Sequence, residues 1–177
     1  MRRVGWLMAA FAAGVSIVSA QIPAGAQIGL ARYLQGGYRG SARSLQEAAE
    51  KMPAADYEFK PSTMPEARTF AAVIAHAADG MFAECAVARG VARPAVSIEK
   101  GATTKAGVVQ GLGDAIAFCD PAFASLTEVS AVEFVRKGAG ELARGAVLAG
   151  LLAHNAEMFG ISTVYLRAKN LVPPGSR

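Results

Sequence analysis

Histidine, cysteine and tryptophan are all scarce in this 177-residue sequence: two, two and one residue respectively. Two histidines cannot by themselves complete a zinc site, which needs at least three protein ligands. The two cysteines, 85 and 119, are far apart in sequence and form no Cys-x-x-Cys, so a thioredoxin-like redox motif is excluded. His-Glu-x-x-His, Gly-x-Ser-x-Gly and a phosphate-binding glycine loop are missing as well, which removes the usual signatures of zinc proteases, serine hydrolases and nucleotide binders. The Gly111-Leu112-Gly113 run lies inside a helical pattern and is no dinucleotide fingerprint. Charge is sparse too. No Lys/Arg run exceeds two residues, and beyond the first residues no aromatic side chains alternate with basic ones, so nucleic acid is not an expected partner.

What is present begins with a charged start, MRR, then VGWLMAAFAAGVSIVSA, then small residues. That is the layout of a secretory signal peptide. Cleavage is expected after Ala20 or after Ala26, and Ala24-Gly25-Ala26 is the better Ala-x-Ala match. The apolar run could also span a bilayer if tilted, but the small-residue site directly after it favours removal. Residues 1–26 are therefore read as a signal peptide and the product as periplasmic or secreted, with no stable membrane association after cleavage. Arg2, Arg3 and Trp6 leave with the signal, and the formal charge of +4 falls by two. No later stretch is continuous and apolar enough to span; ELARGAVLAGLLAHNAEMFG comes closest but carries Glu141, Arg144, His154 and Glu157.

The remainder is 3.6-periodic and punctuated by Pro, Gly and Ser. Leu45, Ala48, Ala49 and Met52 predict a first helix over about Tyr38–Lys51, ended by Pro53. Thr69 caps a second helix that runs to Arg89-Gly90, with Phe70, Val73, Ile74, Ala77, Met81 and Cys85 as its stripe. GVARPAVSIEKGA reads as a loop. Thr103 or Thr104 caps a third helix, striped by Val108, Leu112, Ala115, Ile116, Cys119, Phe123 and Leu126 and kinked at Pro121. A short helix is expected over Val129–Lys137, before Gly138-Ala139-Gly140. The last helix spans about Glu141–Lys169, with Val147, Leu151, His154, Met158, Ile161 and Tyr165 as its seam and Asn170 as a left-handed stop. No β-type alternation stands out. Four long amphipathic helices with modest connectors predict an all-α, antiparallel four-helix bundle.

His76 lies at the flank of the second helix's stripe, and His154 falls within the seam of the last. Both are placed to project between facing helices. Met158 is one turn beyond His154. A thioether suits Cu(I) rather than zinc or nickel, and it also fills core space well. Asp79 and Glu157, each three residues after a histidine, are further oxygen donors or orienting groups. Cys85 and Cys119 are either two buried thiols or, in an exported protein, a disulfide closing about 35 residues and adding roughly 3–4 kcal/mol.

LQEAAEKMPAADYEFKPSTMPEARTFAAVIAHAADGMFAEC resembles the first half of a DinB-like domain, and HNAEMFGISTVYLRAKNLVPPGSR resembles its closing segment. The likeness covers about residues 35–177. DinB here denotes the DNA-damage-inducible family of small helical metal-binding proteins, not a polymerase. The resemblance implies an up-down-down-up four-helix bundle with a divalent metal, zinc or nickel, held by three histidines. It further implies a homodimer and, in some relatives, transfer chemistry on a small thiol. By position, His76 and His154 match two of the metal ligands. Met158 stands where the third histidine belongs: relatives read His-Asn-x-Glu-His-Tyr-Gly where this chain reads HNAEMFG. The likeness to exported members with a cysteine pair implies that Cys85 and Cys119 are bonded. The expected protein is thus an exported DinB-like domain whose site holds metal weakly or not at all. The alternative is a metal-dependent transferase or hydrolase acting with a small thiol.

Overall fold

The computed structural model describes residues 24–102 and 104–176, so the signal-peptide segment falls almost wholly outside the described residues. The described chain is mostly helical. Four long helices, α1 (Leu30–Lys51), α2 (Phe70–Arg89), α4 (Lys105–Ala124) and α6 (Arg144–Ala168), surround one apolar core. Two single-turn helices, α3 (Ile98–Gly101) and α5 (Glu128–Ala131), and a hairpin of β1 (Phe134–Lys137) with β2 (Gly140–Ala143) fill the connections. α1 packs against α4 and α6, and α2 packs against the same two helices.

The helix ends follow local chemistry where that chemistry is local. The Thr69 hydroxyl accepts from the Ala72 amide and opens α2, and Gly90 closes it in the left-handed region at φ 65°. Thr104 caps α4 through Gly107 N–H. Asn170, with φ 58°, takes the left-handed stop after α6. α4 runs on through Pro121 to Ala124, and the Gln35 side-chain amide donates to the carbonyls of Phe123, in its last turn, and Leu126, just beyond. By length and apolarity alone, α2 and α6 would both pass as membrane spans, contrary to the sequence expectation, yet α2 is packed into the core on both sides.

Three expectations are corrected. α1 begins at Leu30, eight residues before Tyr38. Its N-cap, Gly29, has no side chain, and the acceptor for its first turn is Glu128 of α5, whose carboxylate takes the Ala31 amide at 3.0 Å. The expected helix over Val129–Lys137 is only one turn, capped by Thr127 and Ser130. The chain then forms β1 and β2, which pair antiparallel from Phe134↔Ala143 to Lys137↔Gly140. Gly138, at φ 62°, is the first residue of the two-residue turn, a position that favours glycine. In α6 the buried line is Leu151, Asn155, Met158, Ser162 and Tyr165, so His154 and Ile161 sit at its edge rather than within it.

Cys85 and Cys119 form a disulfide with Cα atoms 5.3 Å apart, joining α2 to α4, and both are fully buried. A buried disulfide suits a protein of an oxidising compartment.

Candidate functional site

The site lies where α2 meets α6. His76 is the seventh residue of α2, and His154 reaches it from α6, with ring centroids 5.1 Å apart in an edge-on arrangement. Room for the second ring comes from Gly80, one turn beyond His76. A Cβ on Gly80 would lie 2.9 Å from Cδ2 and 3.0 Å from Nε2 of His154. The two histidines expected to meet therefore do so.

His76 is anchored on its other side. Its Nδ1 is 2.9 Å from Glu99 Oε2, and the second carboxylate oxygen of Glu99 accepts from Arg68 Nε at 3.0 Å. Burial pushes the Glu99 carboxyl up, but the hydrogen bonds from Arg68 and His76 outweigh it and hold it below the usual carboxylate range. An ionised carboxylate only accepts, so Nδ1 of His76 carries the proton and donates. His154 is held below the ordinary histidine range, first by burial and then by the charge of His76; Glu157 and Glu84 oppose this from nearby.

Glu99 arrives on α3, inside a segment expected to be loop throughout. The reason is topological. Lys105, at the start of α4, donates to the Met52 carbonyl and lies over the ring of Tyr57, which packs on Phe70 at the start of α2. The chain leaves the end of α2 at Gly90 and must re-enter near its beginning. It therefore returns along α2, a distance of about 30 Å for twenty residues. Asp79 fastens this strap: its carboxylate accepts from Ser97 Oγ at 2.6 Å and from the Ile98 amide at 2.7 Å. Asp79 is thus occupied as the cap of α3 rather than offered as a third donor beside His76. Glu157 is exposed.

Met158 is buried at 4% exposure, within the core. Among the described residues, no group of three His, Cys, Asp or Glu side chains converges to hold an ion. The donors present offer two imidazoles, which do not make up the three-ligand set that zinc needs. One further polar group stands next to the site in sequence. Asn155 is fully buried, and neither its Oδ1 nor its Nδ2 has a hydrogen-bond partner. Such a group lowers stability by about 1–3 kcal/mol relative to a satisfied one.

No family model matches the chain, and no curated protein matches it.

Proposed function

We propose that the chain is an exported DinB-like four-helix bundle whose metal site has degenerated, with His76 and His154 retained and Met158 in the third position. The observation that carries this reading is the meeting of the only two histidines across the α2–α6 seam, 5.1 Å between rings. Helix directions support the up-down-down-up arrangement. Cys85 and Cys119, both late in their helices, are bonded, which suits parallel α2 and α4. Tyr38 of early α1 stacks on Phe123 at the end of α4, which suits an antiparallel pair. Tyr165 of late α6 donates to the Arg68 carbonyl just before α2, which suits another. The buried disulfide supports a periplasmic or secreted location. The homodimer rests on the resemblance alone.

A second reading, a metal-dependent transferase or hydrolase using a small thiol, is favoured by one observation. Glu99 holds Nδ1 of His76 at 2.9 Å, as carboxylates do behind metal-binding imidazoles. Elemental analysis of protein recovered from the periplasm separates the two. Degeneration predicts well under one zinc or nickel per chain in wild type and about one in Met158→His, a third imidazole restoring the usual ligand count. A full complement in wild type would establish the second reading instead.

A further inference from the structure

Large apolar side chains stand exposed at several places, but five of them gather at one end of the bundle. Leu30 and Tyr33 lie three residues apart at the start of α1, Val129 and Val132 lie at the same spacing on α5 and its C-terminal cap, and Phe134 opens β1. Tyr33, Val129, Val132 and Phe134 are 68%, 73%, 64% and 71% exposed, so none of the four serves the core. The elements that carry them are joined. Glu128 of α5 accepts the Ala31 amide of α1, and β1 follows α5 after Val132 and Glu133. Leu30 Cδ2 and Ala131 Cβ both lie 3.3 Å from where a Cβ on Gly145, at the start of α6, would stand. Single exposed apolar residues are ordinary, whereas a cluster marks a contact surface.

Two features indicate what covers this end. The first is charge. Glu47 is the first acid of the whole sequence, while α1 before it carries Arg32, Arg39 and Arg43. Of the other acids at this end, Glu84 is paired with Lys137 and Glu133 with Arg144. Glu128 and Glu141 remain, against Arg32, Arg89, Arg93 and Arg136, so the rim is net positive. The second is where the rest of the chain attaches. The apolar run VGWLMAAFAAGVSIVSA ends at Ala20, and α1 opens at Leu30 in the cluster itself. Even fully extended, the residues between them reach only about 35 Å, so this is the end of the bundle nearest any bilayer that the run enters. We propose that the cluster is a foot for an anionic membrane surface. Tyr33, Val129, Val132 and Phe134 enter the interfacial layer, and the rim arginines meet the headgroups. Peripheral binding of this kind grows with inserted apolar area and with basic residues facing anionic lipid, and tyrosine favours that layer. The contact is reversible and outlasts the signal peptide, adding no stable anchor. It rests on the exported location proposed above and not on the metal site.

Trp6 is the only tryptophan and belongs to the signal peptide, so a single tryptophan introduced into the mature protein reports its own surroundings. Phe134→Trp places it in the foot. Met64→Trp places it in the connector between α1 and α2, at the opposite end, where Met64 is also exposed. Mature protein recovered from the periplasm, free of residues 1–26, is mixed with phosphatidylglycerol vesicles and, separately, with phosphatidylcholine vesicles. Emission of Phe134→Trp is expected to move saturably to shorter wavelength with phosphatidylglycerol and far less with phosphatidylcholine, while that of Met64→Trp stays in place. In co-sedimentation, Val129→Ser combined with Val132→Ser should weaken binding about tenfold through lost apolar area. Arg32→Gln should weaken it about fivefold. Both variants should melt close to wild type, because the replaced side chains are exposed. No shift of Phe134→Trp, or an equal shift of Met64→Trp, overturns the proposal, as does equal binding to phosphatidylcholine. A shift of Phe134→Trp that grows with protein concentration in the absence of vesicles would overturn the lipid and assign this end to a second copy of the chain. Elemental analysis reports on the metal alone, so that result and this one can fail separately.

Discussion

Helix α2 has two working faces, and they differ in almost every respect. Towards α4 it presents Cys85, fully buried, with the disulfide as a covalent tie. Towards α6 it presents His76 and Gly80, with a half-buried imidazole, a glycine hollow and an ion-paired strap beside them. The first face is apolar and closed. The second is polar, partly wet and built from groups that cost desolvation energy. One helix thus carries a closed apolar seam on one side and a polar seam on the other, and the two should respond differently to change.

The largest effect is expected at the closed seam. Replacing both Cys85 and Cys119 by Ser should lower unfolding free energy by about 2–5 kcal/mol in a denaturant melt, while the two imidazole NMR signals keep their wild-type positions. Loss of those positions would mean that the seams are not separable. A smaller effect is expected at the open seam. Gly80→Ala brings a Cβ against the His154 ring. Crowding of about 1–3 kcal/mol is partly offset by the better helix propensity of Ala, about 1 kcal/mol. The His154 signals should move in this variant. Gly113→Ala on α4, where the same atom meets nothing within 4 Å, should instead stabilise the protein. A Gly80→Ala variant that gains as much stability as Gly113→Ala would remove the hollow from the account.

The smallest effect concerns pH. The folded state holds His154 below its ordinary value, by burial and by His76 against the opposing charges of Glu157 and Glu84. Below that ordinary value, near pH 6.5, the unfolded chain takes up the proton first. This contribution to stability is therefore complete above about pH 6.5 and declines as pH falls towards the lower folded value. His154→Gln should flatten that part of the stability profile measured by thermal melts. An unchanged slope would show that His154 titrates normally.

Much of the scaffold could be read from the sequence because its signals are local. Thr69, Gly90, Thr104 (one of two caps expected there) and Asn170 mark helix ends through groups within a few residues, and the structure uses all four. Leu45, Ala48, Ala49 and Met52 predicted a stripe, and all four are fully buried. The meeting of His76 with His154 was also legible, from helical position together with the family resemblance. What escaped depends on distant partners. The start of α1 is set by Glu128, 97 residues from the amide it caps. Glu99 reaches His76 and Arg68 across 23 and 31 residues, with no periodic signal to announce it. The hairpin strands have four residues each, too short for alternation to stand out against helix-like flanks. The α6 seam slipped by one residue for a different reason. Asn155 and Ser162 are polar, and a hydrophobicity reading passes over them in favour of neighbours that the fold leaves at the edge.

The return strap has an evolutionary consequence. Between Gly90 and Thr104, only Ile98 among the described residues is buried in the core. Arg93, Lys100 and Glu99 can therefore be exchanged one at a time without altering the volume that the long helices must fill. The strap's sequence can therefore drift while the long helices keep their interior.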